Sequence, residues 1–172
     1  ARTVVGDLRW RGRVEAAATA AGGVVGASEG TELVVERAVL RGDVRVTGGQ
    51  PTDYGGGVAG WIKPGPIEEG RATFSQMDVA ADVAVGDGNA GGIAGRVNSA
   101  VPVVTHDARV VGDVEGGDGT GGFVGELSQF QGATSTLDLR RGLLLGAVRE
   151  SGGVGAPIVG TVDASTPADA VL

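Results

Sequence analysis

The chain of 172 residues has no cysteine, and lysine, histidine and aromatic residues are scarce. The absence of Cys excludes a disulfide framework and any thiolate metal site. A single His, two Trp, one Tyr and three Phe leave few residues for acid–base chemistry or for a large aromatic core. No apolar run approaches the roughly 18 residues that a transmembrane helix needs, so we expect no membrane insertion.

Positive charge is also in the minority, which limits the classes of partner. The formal net charge is −7 and the isoelectric point about 4.6, and an acidic chain repels polyanions. One basic aromatic run, from Arg9 to Arg13, is better explained by Trp10 covering an open end of the core. We therefore expect no nucleic acid partner.

Glycine is what the chain has in excess, at 34 residues. Collagen is excluded because Gly does not recur at every third position. A helical bundle is disfavoured because Gly costs about 1 kcal/mol at an interior helix position. Leu, Ile, Val and Phe are frequent enough to argue against disorder. The composition therefore indicates a β protein with many tight turns.

An internal repeat organises the chain. A Gly-Gly-apolar-apolar-Gly pentamer occurs four times and a degenerate copy follows: GGVVG (22–26), GGVAG (56–60), GGIAG (91–95), GGFVG (121–125) and APIVG (156–160). The closing glycines lie 34, 35, 30 and 35 residues apart. A second element, of the Gly-Asp-Val type, precedes each pentamer and begins at Gly12, Gly42, Ala81, Gly112 and Gly146. Two elements in constant order, five times over, indicate a repeat architecture.

The period selects the fold class, which we predict to be all-β. About 33 residues with two or three short strands fit one coil of a parallel β-solenoid, whereas a propeller blade needs about 40 residues and four strands. We predict one domain over residues 1–172, with five coils at roughly 1–26, 27–60, 61–95, 96–125 and 126–160 and an end segment at 161–172.

Two interior stacks follow from this alignment. One comprises Val24, Val58, Ile93, Phe123 and Ile158, and the other comprises Val14, Val44, Val83, Val114 and Val148. We expect the glycines to turn the corners at positive φ and to let the backbone of the neighbouring coil approach closely.

The repeats resemble the GLUG motif, which is found in bacterial surface adhesins and in the N-terminal regions of IgA1-specific metallopeptidases. The resemblance covers residues 12 to 160. It implies a secreted or cell-surface, right-handed β-solenoid (a parallel β-helix) that acts as a stalk or a binding surface. It does not imply catalysis, because the zinc motif of those peptidases lies elsewhere in their chains and no HExxH is present here. The fifth copy replaces both leading glycines with Ala156 and Pro157, which predicts a terminal capping coil.

Candidate ligand-binding residues lie where insertions interrupt the repeat. Segments 47–55 and 61–70 flank one short strand, and coil four carries a similar extension at 126–133. We expect one edge of the solenoid to carry the aromatic residues Tyr54, Trp61 and Phe130, with Asp53, Lys63 and Glu68 as polar neighbours. Aromatic rings beside carboxylates and amides suit a sugar face or a peptide, and loops on a rigid scaffold often bind. The alternative is that these loops fold down over the side of the solenoid.

A second candidate is a column of aspartates. Asp43, Asp82 and Asp113 occupy one repeat position, so stacked coils place them side by side. Carboxylate oxygens suit Ca²⁺, the one cofactor that the sequence brings into question. The alternative is exposed turn aspartates that point away from one another, with Arg13 continuing the column at one end.

The function that we predict is non-enzymatic: an extracellular repeat module of a bacterial surface protein, acting as an adhesin or stalk that binds a glycan or protein. The alternative is a self-assembling structural protein whose solenoids stack end to end into a fibre or surface array. A polysaccharide-cleaving β-helix is disfavoured, because five coils with one Lys and one His offer few convergent acids and bases. A Ser-His-Asp set of His106 and Asp107 with Ser99 or Ser128 is disfavoured as well, because no GxSxG motif is present.

Overall fold

The computed structural model of the chain describes residues 1–17, 19–65, 71–98, 101–128, 136–151 and 153–163. Within these ranges the regular structure consists of eighteen β-strands, and no helix is long and apolar enough to cross a membrane. The strands are β1 (Arg2–Gly6), β2 (Arg9–Ala16), β3 (Ala20–Gly22), β4 (Val25–Glu29), β5 (Glu32–Val46), β6 (Tyr54–Gly56), β7 (Ala59–Lys63), β8 (Arg71–Val85), β9 (Asn89–Gly91), β10 (Ala94–Asn98), β11 (Pro102–Val111), β12 (Val114–Gly116), β13 (Thr120–Gly121), β14 (Val124–Ser128), β15 (Thr136–Leu145), β16 (Val148–Glu150), β17 (Gly153–Val154) and β18 (Val159–Asp163).

The strands form three sheets that the chain visits in the same order on each of the first four coils. Sheet A contains β1, β2, β5, β8, β11, β12, β15, β16 and β17; sheet B contains β3, β6, β9 and β13; sheet C contains β4, β7, β10, β14 and β18. Successive passes pair in parallel and in register, as in Val44 opposite Val83. The predicted all-β parallel solenoid is therefore confirmed.

The chain passes five times through sheet A and five times through sheet C, which gives a solenoid of about four turns. Each pass ends with a strand of sheet C, and the pentamer spans the corner between sheets B and C. The predicted coil boundaries at Gly26, Gly60, Gly95 and Gly125 therefore fall inside sheet C strands rather than between coils.

Both predicted interior stacks are present. In the first, the N–H of Val58 donates to the carbonyl of Ile93 and the N–H of Ile93 donates to that of Phe123, at 3.0 and 2.9 Å. The prediction places this stack along a strand, but it lies at the corner between sheets B and C, in the gap between their strands. In the second, Val44, Val83 and Val114 are in register across sheet A and are buried in a small core cluster with Ala21, Val46, Val85 and Ala90. The aligned repeat thus identifies the core.

The pentamer glycines allow close approach between coils. A Cβ on Gly60 would lie 2.6 Å from the Ala21 nitrogen, 2.6 Å from the Gly26 oxygen and 2.7 Å from the Ala21 oxygen. A Cβ on Gly95 would meet the backbone of Gly55 and Gly60 at 2.6 to 2.7 Å. All of these atoms belong to the preceding coil, so this part of the expectation is confirmed and any larger residue is excluded here.

The expectation of positive φ is confirmed at other glycines but not at those of the pentamers. Gly42, Gly112 and Gly146, which begin the Gly-Asp-Val element of their coils, have positive φ, as do Gly30 and Gly49. None of the positive-φ glycines of the described chain belongs to a pentamer. The recurring left-handed position lies in or beside the long strands of sheet A and is occupied by Asp7, Arg37, Gln76, Asp107 and Arg141, with φ between 53° and 55°. Two of the pairs in this column form ion pairs across neighbouring coils, as when Arg37 Nε donates to Asp7 Oδ1 at 2.7 Å.

The fifth coil ends differently from the others. After β16 the chain turns back, and β17 pairs with β16 antiparallel, with Arg149 opposite Val154. Ala156 then resumes parallel pairing opposite Gly121. The turn closes the outer edge of β16, so the degenerate fifth pentamer accompanies a local cap. At the first coil, half-buried Trp10 packs against the main core, consistent with the expectation that it covers an open end.

Candidate functional site

The residue that follows each closing glycine faces outward from sheet C. Trp61, Arg96 and Glu126 stand opposite one another in register on three successive coils, between Ala27 and Thr161 at the two ends. The alternation of a strand turns the next residues, such as Ile62 and Val97, into the core. Because the coils stack in register, equivalent repeat positions with different side chains lie next to one another on the outer face of sheet C.

We name this surface the sheet C cluster. It comprises Glu29, Tyr54, Trp61, Lys63, Asn89, Arg96, Asn98, Glu126 and Ser128. Tyr54 and Asn89 come from sheet B, which lies against sheet C because the closing glycines have no side chains. The remaining members come from β4, β7, β10 and β14. Four successive coils contribute to one continuous patch.

The centre of the cluster is aromatic. The rings of Tyr54 and Trp61 lie 5.2 Å apart at 50°, a tilted geometry that suits aromatic pairs. Lys63 Nζ lies 4.6 Å from the centre of the Trp61 ring, a cation–π distance. Trp61 Nε1 donates a hydrogen bond to Asn98 Oδ1 at 2.8 Å. The indole is thus fixed on several sides while remaining half-exposed.

Beneath the aromatic pair lies a charged network. The Arg96 guanidinium carbon is 5.0 Å from the Tyr54 ring centre, and one of its nitrogens donates to the Tyr54 hydroxyl. Its other nitrogens reach Ser128 Oγ at 3.1 Å and Glu126 Oε1 at 3.2 Å. Glu126 also accepts a hydrogen bond from Asn89. Only 23% of the Arg96 side chain and 12% of the Glu126 side chain are exposed. Removing either residue would therefore leave a largely buried charge without its partner.

The outermost groups of the cluster are those that a ligand would meet first. Lys63 forms an ion pair with Glu29 at 2.7 Å, and the Glu29 side chain is 53% exposed. With the indole edge of Trp61, these groups offer an ammonium, a carboxylate and an apolar ring on one side of the solenoid. Such a set can hydrogen bond and stack with a sugar or a peptide.

The structure brings together three of the predicted ligand-binding residues: Tyr54, Trp61 and Lys63. Tyr54 is only 3% exposed, so it supports Trp61 from below and offers a ligand almost no surface. Phe130 and Glu68 lie outside the described residues.

Asp53 does not join the cluster and is only 2% exposed. Its carboxylate accepts backbone hydrogen bonds from Thr19 at 2.7 Å and Gln50 at 3.0 Å. It therefore fastens the turn ahead of Tyr54 to the first coil, and the expectation that it lies beside a ligand is not supported.

The aspartate column is present but does not form a metal site. Asp43 stands opposite Asp82, and Asp82 Oδ1 accepts the backbone N–H of Asp113 at 2.9 Å. Asp113 Oδ1 in turn accepts the N–H of Ala147 at 2.9 Å, and its other oxygen binds Arg149 at 2.6 Å. The hydrogen bond from the Ala147 N–H, and to a smaller extent the one from Arg149, lowers the pKa of Asp113.

These carboxylates therefore tie one coil to the next. Among the residues that the structure describes, no group of three or more His, Asp or Glu side chains could hold a metal ion, so the calcium interpretation has no geometric support. Arg13 Nε lies 4.0 Å from Asp43 Oδ2, which is the partial neutralisation expected at that end of the column.

His106 lies on sheet A, opposite Ser75 and Arg140. Ser128 is in the sheet C cluster, and the Asp107 carboxylate binds Arg141 at 2.7 Å. The structure therefore does not bring His106, Asp107 and Ser128 together as a catalytic set, and Ser99 lies outside the described residues.

Sequence reasoning missed Arg96, Glu126, Asn98 and Glu29. The signal that could have found them is the repeat itself. Aligning the chain on the closing glycines puts Trp61, Arg96 and Glu126 in one position, and puts Glu29, Lys63 and Asn98 in another, each three residues after the glycine.

The chain matches no family model, no curated protein and no solved structure. The resemblance to the GLUG motif therefore stays a prediction, and the argument for function depends on the geometry of the surface.

Proposed function

We propose that the protein is a non-enzymatic binding module of a bacterial cell surface or secreted protein, and that the sheet C cluster is its ligand-binding face. The ligand that fits is a glycan or an extended segment of an extracellular protein. The solenoid serves as an adhesin or as the stalk of one. The GLUG-like repeats support the extracellular part of this proposal.

The observation that carries the proposal is the position of Trp61. It is one of two tryptophans in the chain, and it is held half-exposed between Tyr54, Lys63 and Asn98. A fixed indole binds with little loss of conformational entropy, because its rotamer is already set. The Arg96–Glu126 network beneath it holds this geometry.

The experiment is a binding screen on arrays of neutral and acidic glycans and of extracellular matrix proteins. Wild type is compared with Lys63→Gln, which removes the ammonium without opening the core, and with Trp61→Phe, which keeps a ring and removes the indole N–H. Arg71→Gln is the control, since Arg71 is exposed on sheet A. We expect both cluster variants to lose at least about tenfold in affinity for the captured ligand, and the control to bind like wild type. Wild-type binding in all three variants would contradict the proposal.

A second candidate function is end-to-end self-association. The strands of the first coil, β1 to β4, pair on one side only within the described residues, as does β15 of the last coil. β15 also exposes Leu143 and Leu145 at 48% and 47%, and an open apolar edge favours pairing with another chain. The cap formed by β17 opposes it, because β16 can accept no further parallel strand.

Light scattering across a concentration series separates the two functions. The assembly is favoured if the molar mass measured by scattering rises with concentration in wild type and stays constant in Leu143→Lys. A charge at that edge prevents strand pairing. A constant monomer mass would leave the binding module as the function.

A further inference from the structure

The outer face of sheet A carries a cluster of arginines in the first two coils. We name it the arginine face, and it comprises Arg9, Arg11, Arg13, Arg41 and Arg45. Strand alternation turns the intervening Trp10 and Val14 toward the core, where both are half-buried. Five guanidinium groups thus project from two adjacent strands, β2 and β5.

Only part of this charge is neutralised. Arg41 binds Asp78 at 2.5 Å, and Arg13 Nε lies 3.8 Å from Glu15 and 4.0 Å from Asp43. The other three, Arg9, Arg11 and Arg45, are exposed and form no ion pair with any described residue.

Glu15 and Asp43 are the only acids where β2 and β5 lie side by side, since Glu32 and Glu36 come earlier on β5. With Asp78, which binds Arg41, five positive charges stand against three negative ones. This local excess occurs in a chain whose net charge is −7.

The same face changes sign along the solenoid. In the third and fourth coils the corresponding positions of sheet A carry four acids, Asp78, Asp82, Asp113 and Glu115, and one base, Arg109. Negative charge there repels an anion, so an anionic ligand is confined to the first two coils. This distribution of charge favours an anionic ligand and favours its binding on the first two coils.

The spacing of the guanidinium groups suits a ligand with several anionic groups. Arg9, Arg11 and Arg13 alternate along β2, which separates their Cα atoms by about 6.7 Å, and the next strand lies about 4.8 Å away. Guanidinium forks bind planar or tetrahedral oxyanions through two hydrogen bonds at once. Carboxylates or sulfates repeated along an extended chain can engage several forks together.

We propose that the arginine face binds an acidic polysaccharide through its carboxylate or sulfate groups. Single-stranded nucleic acid is less well matched, because its binding surfaces use aromatic stacking platforms. The one aromatic residue of β2, Trp10, packs against the core instead. The inference does not depend on the sheet C cluster and stands if that face binds nothing.

Titration calorimetry at low salt tests it with four probes: a heparin-derived oligosaccharide, an oligogalacturonate of equal length, a neutral maltooligosaccharide and a single-stranded DNA of equal charge. We expect the anionic sugars to bind, the neutral one not to bind, and the affinity to fall as salt is added. The variant Arg9→Gln/Arg11→Gln/Arg45→Gln should bind at least about tenfold more weakly, because hydrogen bonds to charged groups contribute more than neutral ones.

The matched control is Arg71→Gln/Arg109→Gln/Arg140→Gln, which removes the same charge from coils three to five. It should stay within about twofold of wild type. Equal weakening of both triple variants would show a general charge effect and overturn the proposal. Absence of binding by both anionic sugars, or preference for a single-stranded DNA of equal charge, would also overturn it.

Two further measurements keep the test decisive. Circular dichroism melts establish that each variant folds, and Arg45→Gln alone replaces the triple variant if that protein is unfolded. In ¹⁵N-labelled protein the Nε–H signals of Arg9, Arg11 and Arg45, which project from the arginine face, should shift with the anionic sugar. The Trp61 indole should not, and the reverse pattern would place the sugar on the sheet C cluster and overturn the inference.

Discussion

Replacing Gly60 with alanine tests the claim that the closing glycines exist to let coils stack. The added Cβ would meet three backbone atoms of the first coil: the nitrogen and oxygen of Ala21 and the oxygen of Gly26, at 2.6 to 2.7 Å. Backbone atoms that are hydrogen bonded in a sheet cannot rotate away, so the two coils must separate locally. Overpacking of this kind costs about 1–3 kcal/mol, and three simultaneous contacts place Gly60→Ala at the upper end, about 3 kcal/mol.

The matched control is the same substitution one coil earlier. Gly26 closes the pentamer of the first coil, and a Cβ there would meet only the Ala20 oxygen, at 3.3 Å. Gly26→Ala should change stability by less than about 1 kcal/mol, because the loss of unfolded-state freedom offsets a mild contact.

The assay is thermal unfolding followed by circular dichroism, with urea unfolding as a check. For a chain of this size 1 kcal/mol shifts the melting temperature by about 2–4 °C, so Gly60→Ala should melt roughly 6–12 °C below wild type and Gly26→Ala within about 3 °C. Equal melting temperatures for the two variants would refute the argument that coil-to-coil approach selects glycine.

Four further predictions concern the column of left-handed residues, the aspartate column and the core. Gln76→Gly should stabilise the protein by about 0.5–1 kcal/mol relative to Gln76→Ala, since only glycine adopts φ 54° without strain; a lower urea midpoint for the glycine variant would contradict this. The folded-state pKa of Asp113 is lowered, so its stabilisation is present above the unfolded pKa of about 3.9 and lost as pH falls through the folded value. The stability gap between wild type and Asp113→Ala should therefore narrow below about pH 4, and a gap that widens in acid would argue against the hydrogen bond from Ala147. Because that column binds backbone N–H groups, millimolar Ca²⁺ should leave the melting temperature unchanged, and a rise absent from Asp82→Asn would restore the calcium site. Val58→Asp, at a position with 0% exposure, should cost several kcal/mol or prevent folding, and a wild-type melting curve would show that the stack is not internal.

The valine stacks and the close approach at the pentamers were predictable because repeat register converts sequence position into spatial position. Val44 and Val83 are neighbours in space for the same reason that they are equivalent in the repeat. The close approach at Gly60 was predictable because glycine closes all five copies of the pentamer, and a position that is always glycine indicates crowding between coils.

The left-handed column was not predictable, because its members share no residue type. Asp7, Arg37 and Gln76 have the ordinary chemistry of exposed strand residues. Their backbone conformation is imposed by the stacking of coils, a tertiary effect that overrides local preference. Glycine also occupies positive φ, as at Gly42 and Gly112, whereas the pentamer glycines lie where the backbones of neighbouring coils crowd.

The candidate site was half predictable. Trp61 was conspicuous because aromatic residues are scarce, and Lys63 because it is the only lysine. Arg96 and Glu126 were missed because charged residues ordinarily belong to the solvated surface, and only the register of sheet C buries this pair beside Tyr54. Asp53 was misjudged because a carboxylate in a loop looks the same in sequence whether it faces a ligand or fastens a turn.

The most direct test of the central claim, that the sheet C cluster is the binding face, uses the two tryptophans of the chain. In ¹⁵N-labelled protein their indole N–H groups give two signals, which Trp10→Phe assigns. Titration with an uncharged glycan captured on the arrays should shift the Trp61 signal, whose N–H is bonded to Asn98, and leave Trp10 in place. A saturating ligand that leaves the Trp61 signal unmoved would contradict the account.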